Sequence, residues 1–210
     1  MMDQLHKKDK EETKSKLINA VGEIFRTKGY SALNALKIAN KAGVSNTLIY
    51  RYFGNVQELF KAYLLQKDYW MPFNDNLENI IKSNQHDSGK QLAKNILENQ
   101  IEYFYNNDEM QQIVRWEISE SNDISRNLAD SRERLGDEML GITDKHFRES
   151  GVNFRVLLGL MIAGIYYLVL HAKTNGSTFC GIDINKDKDM KEVQRTLKQV
   201  VDWAYEKAST

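Results

Sequence analysis

Apolar side chains recur at helical spacing along nearly the whole chain, and the polar segments between them are short. Leu17, Val21, Ile24 and Phe25, for example, fall on one stripe of a helix near residues 10–28. Pro72 is the only proline and glycine is sparse, which favours long helices over many-turned β structure. The pattern predicts an all-α protein of about nine helices, over residues 10–28, 35–41, 45–53, 55–70, 91–105, 109–119, 124–149, 153–173 and 187–208, with a further turn or two at 74–82.

The helix predicted at 153–173 is apolar on nearly every face, so it must be covered on all sides. Its continuous apolar run is too short for the roughly 18–20 residues of a bilayer span, so we expect a buried helix and no membrane partner. Gly159 and Ala163 are small enough to let another helix approach closely, and the last helix is amphipathic. Two copies of each helix would form a four-helix interface in a homodimer. The predicted interface residues are Gly159, Ala163, Val193, Leu197, Val200 and Val201.

Residues 35–53 are typical of a helix, a tight turn and a second helix. Asn34 is placed to cap the first helix, Gly43 to end it with a positive φ, and Ser45 to cap the second. Apolar residues between Ile38 and Phe53 are spaced to close a small core, which leaves four side chains facing away from it. These are Asn46, Thr47, Tyr50 and Arg51, an amide, a hydroxyl, a phenol and a guanidinium that suit the edge of a nucleic acid.

This spacing is that of a DNA-binding helix-turn-helix, although an ordinary αα-hairpin can share the glycine turn. The first 65 residues or so also resemble the TetR family of bacterial transcriptional regulators. The resemblance rests on Phe25, Gly29-Tyr30, Ile38-Ala39, Ala42-Gly43-Val44-Ser45, Tyr50, Tyr52-Phe53 and Glu58-Leu59. It implies a DNA-binding domain over residues 1–54 and a helical effector-binding and dimerisation domain over 55–210.

The resemblance and the outward polar set together predict the DNA contacts. Tyr50 and the start of the fourth helix would hold phosphates, while Asn46, Thr47 and Arg51 would read base edges in the major groove. Leu48 would either contact a thymine methyl group or only pack. The predicted DNA-binding residues are Asn34, Lys37, Ser45, Asn46, Thr47, Leu48, Tyr50, Arg51 and Tyr52.

Charge is uneven along a chain whose formal net charge is zero. Residues 1–70 carry 12 Lys and Arg against 7 Asp and Glu, whereas the rest carries 17 against 22. A basic N-terminal third suits DNA, and its first ten residues predict a basic arm with Lys7, Lys8 and Lys10. Cys180 is the only cysteine, and the charged N-terminus lacks the apolar region of a signal peptide, so we expect a cytoplasmic protein.

Motifs for catalysis, cofactors and metals are missing from the sequence. The four histidines are scattered, and no phosphate-binding loop or nucleophile elbow is present. The acidic run from Asp183 to Asp189 resembles a calcium loop but has Lys188 where that loop needs glycine, so capping of the last helix explains it better. We therefore expect no enzymatic activity, no cofactor and no metal.

Five polar-tipped or aromatic residues lie on otherwise apolar helix faces, where each can be either a satisfied core residue or part of a pocket. Because the larger domain of the resembled family holds an effector pocket, these are the predicted ligand-binding residues: Tyr103, Trp116, Tyr166, Tyr167 and His171. The resemblance thus implies a repressor that a small molecule releases from a palindromic operator. A helical interaction protein with a purely structural helix-turn-helix is the alternative, and a helical-bundle enzyme is a third hypothesis.

Overall fold

The computed structural model describes the backbone of residues 2–210 and the side chains of residues 9–210. Within these residues the chain is all-α, as predicted, with one 3-10 helix at Tyr30–Ala32 and a single isolated β-bridge. The α-helices are α1 Met2–Lys28, α2 Ala35–Ala42, α3 Thr47–Phe53, α4 Val56–Lys67, α5 Met71–Asn74, α6 Leu77–Ser83, α7 Lys90–Asn106, α8 Asp108–Ser119, α9 Asp123–Phe147, α10 Phe154–Asn175 and α11 Asp187–Ala208.

The described residues thus form eleven helices instead of about nine, and the difference begins at Pro72. The sequence predicts that the fourth helix runs to Trp70 and that Pro72 stops it. Instead α4 ends at Lys67, because Asp68 is extended with ψ 136°, and Pro72 lies in the first turn of the separate helix α5. Proline suits that position, since the first N–H groups of a helix have no partner within it. The first helix also begins earlier than predicted, at Met2, and the side chains of Lys7 and Lys8 lie outside the described residues.

The chain divides into two compact units, and neither is continuous in sequence. The unit that we call the head comprises Met1–Asp68 and Gln112–Asp130, and the body comprises Tyr69–Gln111 and Ser131–Thr210. The sequence predicts a boundary after residue 54, whereas α4 and the segment Gln112–Asp130 both group with the head. Helices α8 and α9 each contribute residues to both units, so two unbroken helices join them.

The head is built around a dense aromatic core. Trp116, from α8, is 3% exposed and its ring lies 6.0 Å from Phe25, 5.3 Å from Tyr30 and 5.2 Å from Phe60. Aromatic pairs at these separations stabilise a core beyond their buried area. Trp116, which the sequence predicts as a ligand-lining residue, thus packs in the core of the head, and its contact with a ligand stays a prediction. Its indole N–H donates to Glu120 Oε2 at 3.0 Å.

The body is organised around α7, which packs against α10 and α11. Asp202 of α11 pairs with both Lys90 and Lys94 of α7, at 2.8 and 2.5 Å, and these two lysines hold the pKa of its carboxyl below the usual range. A further pair, Lys198 with Glu98, joins the same two helices. Acidic and basic residues on the facing surfaces therefore link α7 to α11.

Helix α10 is less covered than its sequence predicts. Val156 is 57% exposed, Leu160 67% and Tyr167 53%, and Gly159 and Ala163 on the same stripe are also exposed. Among the described helices it is the one whose length and composition would fit a membrane span, a weak indication that core helices of soluble proteins also give. One face of α10 thus packs in the body, while an apolar stripe of the opposite face lies at the surface.

Candidate nucleic-acid interface and ligand site

Local sequence signals fix the α2–turn–α3 hairpin. The side chain of Asn34 accepts a hydrogen bond from the Lys37 N–H at 2.9 Å, as predicted for a helix cap. Gly43 ends α2 in the left-handed conformation with φ 67°, which glycine adopts without the steric penalty of a Cβ atom. Ile38 and Ile49 are fully buried, one from each helix, and so hold the hairpin against the head's core.

Four side chains on α3 and its entry project into solvent opposite Ile49. Asn46, Thr47 and Arg51 are exposed, and Tyr50 is 55% exposed although it is aromatic. Asn46 makes no capping hydrogen bond with its side chain. The arrangement leaves amide, hydroxyl and guanidinium groups available on one helix face, as the readout of base edges requires.

The remaining predicted DNA-binding residues have more defined local roles. Ser45 Oγ accepts a hydrogen bond from the Thr47 N–H at 3.4 Å, so it supports the start of α3. Leu48 is half-buried and packs against the head's core, which favours the packing alternative. Lys37 is exposed in the first turn of α2. Asn34 is exposed, but its side-chain oxygen is already used in the cap.

Lys10 is a basic residue of this surface that the list of predicted contacts lacks. Its Nζ lies 5.9 Å from the centroid of the Tyr52 ring, and the Arg51 guanidinium lies 5.8 Å from the same ring. Cations over an aromatic face are attracted by its quadrupole. Tyr52 therefore brings a positive charge from α1 next to a positive charge from α3. Helical periodicity could have placed Lys10 on α1, but not beside Tyr52.

A nearby lysine is engaged differently. Lys41 of α2 pairs with Glu23 of α1 at 2.6 Å, and this partner lowers the pKa of the Glu23 carboxyl. The pair links α1 to α2 on the surface of the head. Lys41 is therefore paired with a carboxylate, although it is exposed at the surface like Lys37 and Lys10.

The predicted ligand-binding residues of the body fall into two groups. In the first, the Tyr166 hydroxyl accepts a hydrogen bond from the Trp70 indole at 3.2 Å, and its ring lies 4.9 Å from Phe104. Tyr103 joins this aromatic region through Tyr69, with ring centroids 5.2 Å apart. Burial raises the pKa of the Tyr69 phenol, so it stays protonated and donates to a backbone carbonyl of α7. Sequence reasoning missed Tyr69 and Trp70, since they fall where it expected the end of a helix.

The second group is at the surface. Tyr167 and His171 stack with centroids 5.7 Å apart, and both contact Phe179. Phe179 and Ile182 exchange two backbone hydrogen bonds of 2.9 Å across a two-residue turn, Cys180-Gly181, in which both residues have positive φ. This cluster of three rings continues the exposed stripe of α10. Tyr167 and His171 thus belong with the surface residues rather than with Tyr103 and Tyr166.

The predicted dimer-interface residues are mostly accessible. Gly159 and Ala163 are exposed, and Val193, Leu197 and Val200 line a groove of about 320 Å³ on α11 together with Leu168 of α10. Val201 differs from the others, because it is 0% exposed and packs inside the body.

No cluster of three or more His, Cys, Asp or Glu side chains that could hold a metal occurs among the described residues. The acidic run before α11 instead forms a local turn. Asp189 Oδ2 accepts a hydrogen bond from the Asp183 N–H at 2.9 Å, and Asp183 Oδ1 accepts one from the Asn185 N–H. The Asn185 backbone lowers the pKa of the Asp183 carboxyl, whose ordinary role here is to organise the chain before the helix.

Comparison with known proteins agrees with this geometry. Residues 17–63 match the family model of bacterial regulatory proteins, tetR family. This segment spans the C-terminal part of α1 from Leu17, the α2–turn–α3 hairpin and the first two thirds of α4, so the exposed face of α3 lies inside it. No curated protein sequence matches the chain.

Solved structures share the fold over nearly the whole length. FadR from Bacillus subtilis, in complex with stearoyl-CoA, is 18% identical with a TM-score of 0.64, over 89% of this chain and 96% of FadR. NalD from Pseudomonas aeruginosa, the secondary repressor of the MexAB-OprM multidrug efflux pump, is 17% identical with a TM-score of 0.65, over 91% and 96%. FadR from Bacillus halodurans is 18% identical with a TM-score of 0.62, over 90% and 94%. At such identities the likeness establishes the fold of both units.

Proposed function

We propose that this chain, whose N-terminal domain belongs to the TetR family of bacterial regulatory proteins, is a transcriptional repressor that a small molecule releases from DNA. The observation that carries the proposal is the exposed polar face of α3 opposite the buried Ile49. Arg51, Asn46 and Thr47 read base edges, and the Tyr50 hydroxyl and the N-terminus of α4 hold phosphates. The protein acts in the cytoplasm, without a cofactor and without catalysis.

A homodimer supplies the second reading helix. The exposed stripe of α10 is apolar over three helical turns, from Val156 through Leu160 to Tyr167, and the groove on α11 adjoins Leu168 of the same helix. Contiguous apolar surface of this kind is unusual on a monomer and typical of an interface. Two copies would cover each other's stripe about a two-fold axis, which suits a palindromic operator.

The ligand binds in the body. Tyr103 and Tyr166, with Tyr69 and Trp70, form its aromatic region, and Tyr167 with His171 are candidates at the surface. Helices α8 and α9 are unbroken across the boundary between body and head, so a shift of either helix in the body also moves its residues in the head. A ligand that prefers one arrangement of these helices would change the separation of two heads in a dimer.

The test is selection of DNA fragments by the purified protein, followed by fluorescence anisotropy with the selected site. Arg51→Ala should lower specific affinity by about 1–3 kcal/mol if it reads a guanine, and Tyr50→Phe should weaken all sequences alike. Lys188→Ala, an exposed change in the body, is the control and should leave binding unchanged. Undiminished operator binding by the double variant Asn46→Ala, Arg51→Ala would exclude α3 as the reading helix.

The alternative of a structural helix-turn-helix in an interaction protein makes a different prediction. It requires no salt-dependent shift of a DNA probe, whereas a phosphate-binding face gives an affinity that falls steeply with salt. The alternative is favoured if the purified protein selects no DNA fragment and if Arg51→Ala does not change the shift of the DNA probe.

A further inference from the structure

The body buries one side chain whose polar atoms have no partner. Gln100 lies in the middle of α7 and is 1% exposed, yet neither its Oε1 nor its Nε2 makes a hydrogen bond. Buried amides are almost always paired, since an unpaired one loses its contacts with water and gains nothing in return. An unpaired glutamine at the centre of a ligand-binding domain therefore points to a group that arrives with the ligand.

Aromatic side chains contact α7 one turn before and one turn after Gln100. One turn before it, the carbonyl of Ile96 accepts a hydrogen bond from Tyr69 at 3.3 Å. One turn after it, Phe104 contacts Tyr166, whose hydroxyl is already bound by Trp70. The polar tips of these aromatic residues are therefore engaged with the protein, and their rings provide flat apolar surface. Apolar aromatic surface therefore lies along α7 within one turn of Gln100 on either side.

An open cleft shares Tyr69 with these aromatic residues, although Gln100 itself does not line it. It measures about 470 Å³ and is lined by Tyr69, Asn99, Glu102, Tyr103, Asn106 and Asn107. Tyr69 and Tyr103 line the cleft and contact each other, so their rings form its inner aromatic wall. The other four lining residues are three amides and one carboxylate, with no lysine or arginine among them. A negatively charged ligand would meet the Glu102 carboxylate without a compensating cation.

We propose that Gln100 pairs with the lactam or carboxamide group of an uncharged aromatic ligand that enters through this cleft. An amide side chain presents one acceptor and one donor side by side, and a lactam presents the complementary donor and acceptor. A carboxylate offers acceptors only, so it would leave the Gln100 oxygen unpaired. This ligand would be the one to which the proposed repressor responds, so the biological consequence rests on the proposed function. The binding itself does not, since it is measured without DNA.

The test uses 2-quinolinone, a neutral aromatic lactam, with 2-naphthoate as an anion of similar size and stearoyl-CoA as the ligand of a structural neighbour. Binding to the full-length protein is followed by tryptophan fluorescence, which Trp70 reports. We expect saturable binding of 2-quinolinone that Gln100→Met weakens by about tenfold or more, and that the control Gln91→Met, an exposed glutamine of the same helix, leaves unchanged. Equal affinity of the Gln100→Met variant, a preference of the wild type for 2-naphthoate or stearoyl-CoA, or no saturable binding of 2-quinolinone would each overturn the proposal.

Thermal unfolding without ligand gives a second measurement. Because methionine has nearly the shape of glutamine without its polar atoms, Gln100→Met should unfold at the same temperature as the wild type or higher. A lower melting temperature would mean that the amide is paired within the protein, which also contradicts the proposal. Binding of 2-quinolinone through Gln100 without any selected DNA would sustain the site and refute the repressor function, so the two failures are distinguishable.

Discussion

The head and the body treat apolar surface differently. The head packs most of its aromatic residues against one another, and the exposed large apolar residues among its described side chains, Leu36, Tyr50, Leu65 and Ile118, lie on four different helices. The body instead leaves a continuous apolar stripe on α10 at its surface and an unpaired amide in its interior. The apolar residues of the head thus lie mainly in its core, whereas the body leaves apolar surface and an amide unpaired, as expected if the proposed second copy and ligand cover them.

The largest expected effect is on the free energy of unfolding, and it tests whether α8 belongs to the core of the head. Trp116→Ala should destabilise the head by about 3–5 kcal/mol, because it removes a buried indole that packs against the rings of Phe25, Tyr30 and Phe60. Urea unfolding monitored by circular dichroism measures the change. Ile118→Ala, on the same helix but at a residue that is 75% exposed, is the control and should cost less than about 0.5 kcal/mol. Equal effects of the two substitutions would show that α8 does not belong to the core of the head.

The next effect tests whether the stripe of the body is an interface. Ala163→Glu should convert the dimer to a monomer, because the larger charged side chain separates the helices and would be buried without a partner. Light scattering at micromolar concentration measures the mass, and Ala163→Ser, which keeps the residue small, should remain dimeric. A monomeric wild type, or a dimeric Ala163→Glu variant, would mean that the stripe is not the interface.

A smaller effect distinguishes the basic surface of the head from lysines elsewhere. Lys10→Gln should weaken binding to all DNA sequences alike, by up to about tenfold, and lower the slope of log affinity against log salt by about one. Lys188→Gln removes the same charge from the body and should change neither quantity. If the two variants have the same salt dependence, Lys10 makes no phosphate contact.

The smallest effect concerns the ion pairs inside the body. Since Lys90 and Lys94 lower the pKa of Asp202 in the folded protein, this carboxylate stabilises the fold above the pKa of the unfolded chain, about 3.9. The contribution is lost as the pH falls through the lower, folded pKa. Asp202→Asn should therefore cost up to about 1 kcal/mol at pH 7, and the gap to the wild type should close toward pH 3. Urea midpoints across this range measure it, and a gap independent of pH would contradict the ionic explanation.

The sequence predicted the elements that local chemistry controls. The Asn34 cap, the Gly43 turn and the outward face of α3 follow from short-range hydrogen bonds and from helical periodicity, and the structure has all three. The helical bounds in the second half are also near those predicted, since long amphipathic stretches have a strong period. The DNA-binding face was accordingly predictable residue by residue as a surface, although its contacts with DNA stay predictions.

What the sequence could not predict depends on contacts between distant segments. Trp116 would lie on an apolar helical face whether it packed in a core or lined a pocket. Only the fold reveals that its partners are Phe25 and Phe60. Val201 and Val200 are adjacent valines, but one is buried and the other lines a groove. Gln100 has no sequence signal at all, because an unpaired amide is defined by its surroundings rather than by its spacing.

The assembly of the head from two separate segments has a consequence for protein engineering. A fragment that stops at Asp68 would carry the complete hairpin and α4 but would expose the aromatic side chains that Trp116 covers. Grafting this reading domain onto another sensor would therefore require transplanting residues 112–130 together with residues 1–68. The portable unit for building chimaeric switches is thus a pair of segments, and a swap at a single junction would leave the core of the head without Trp116.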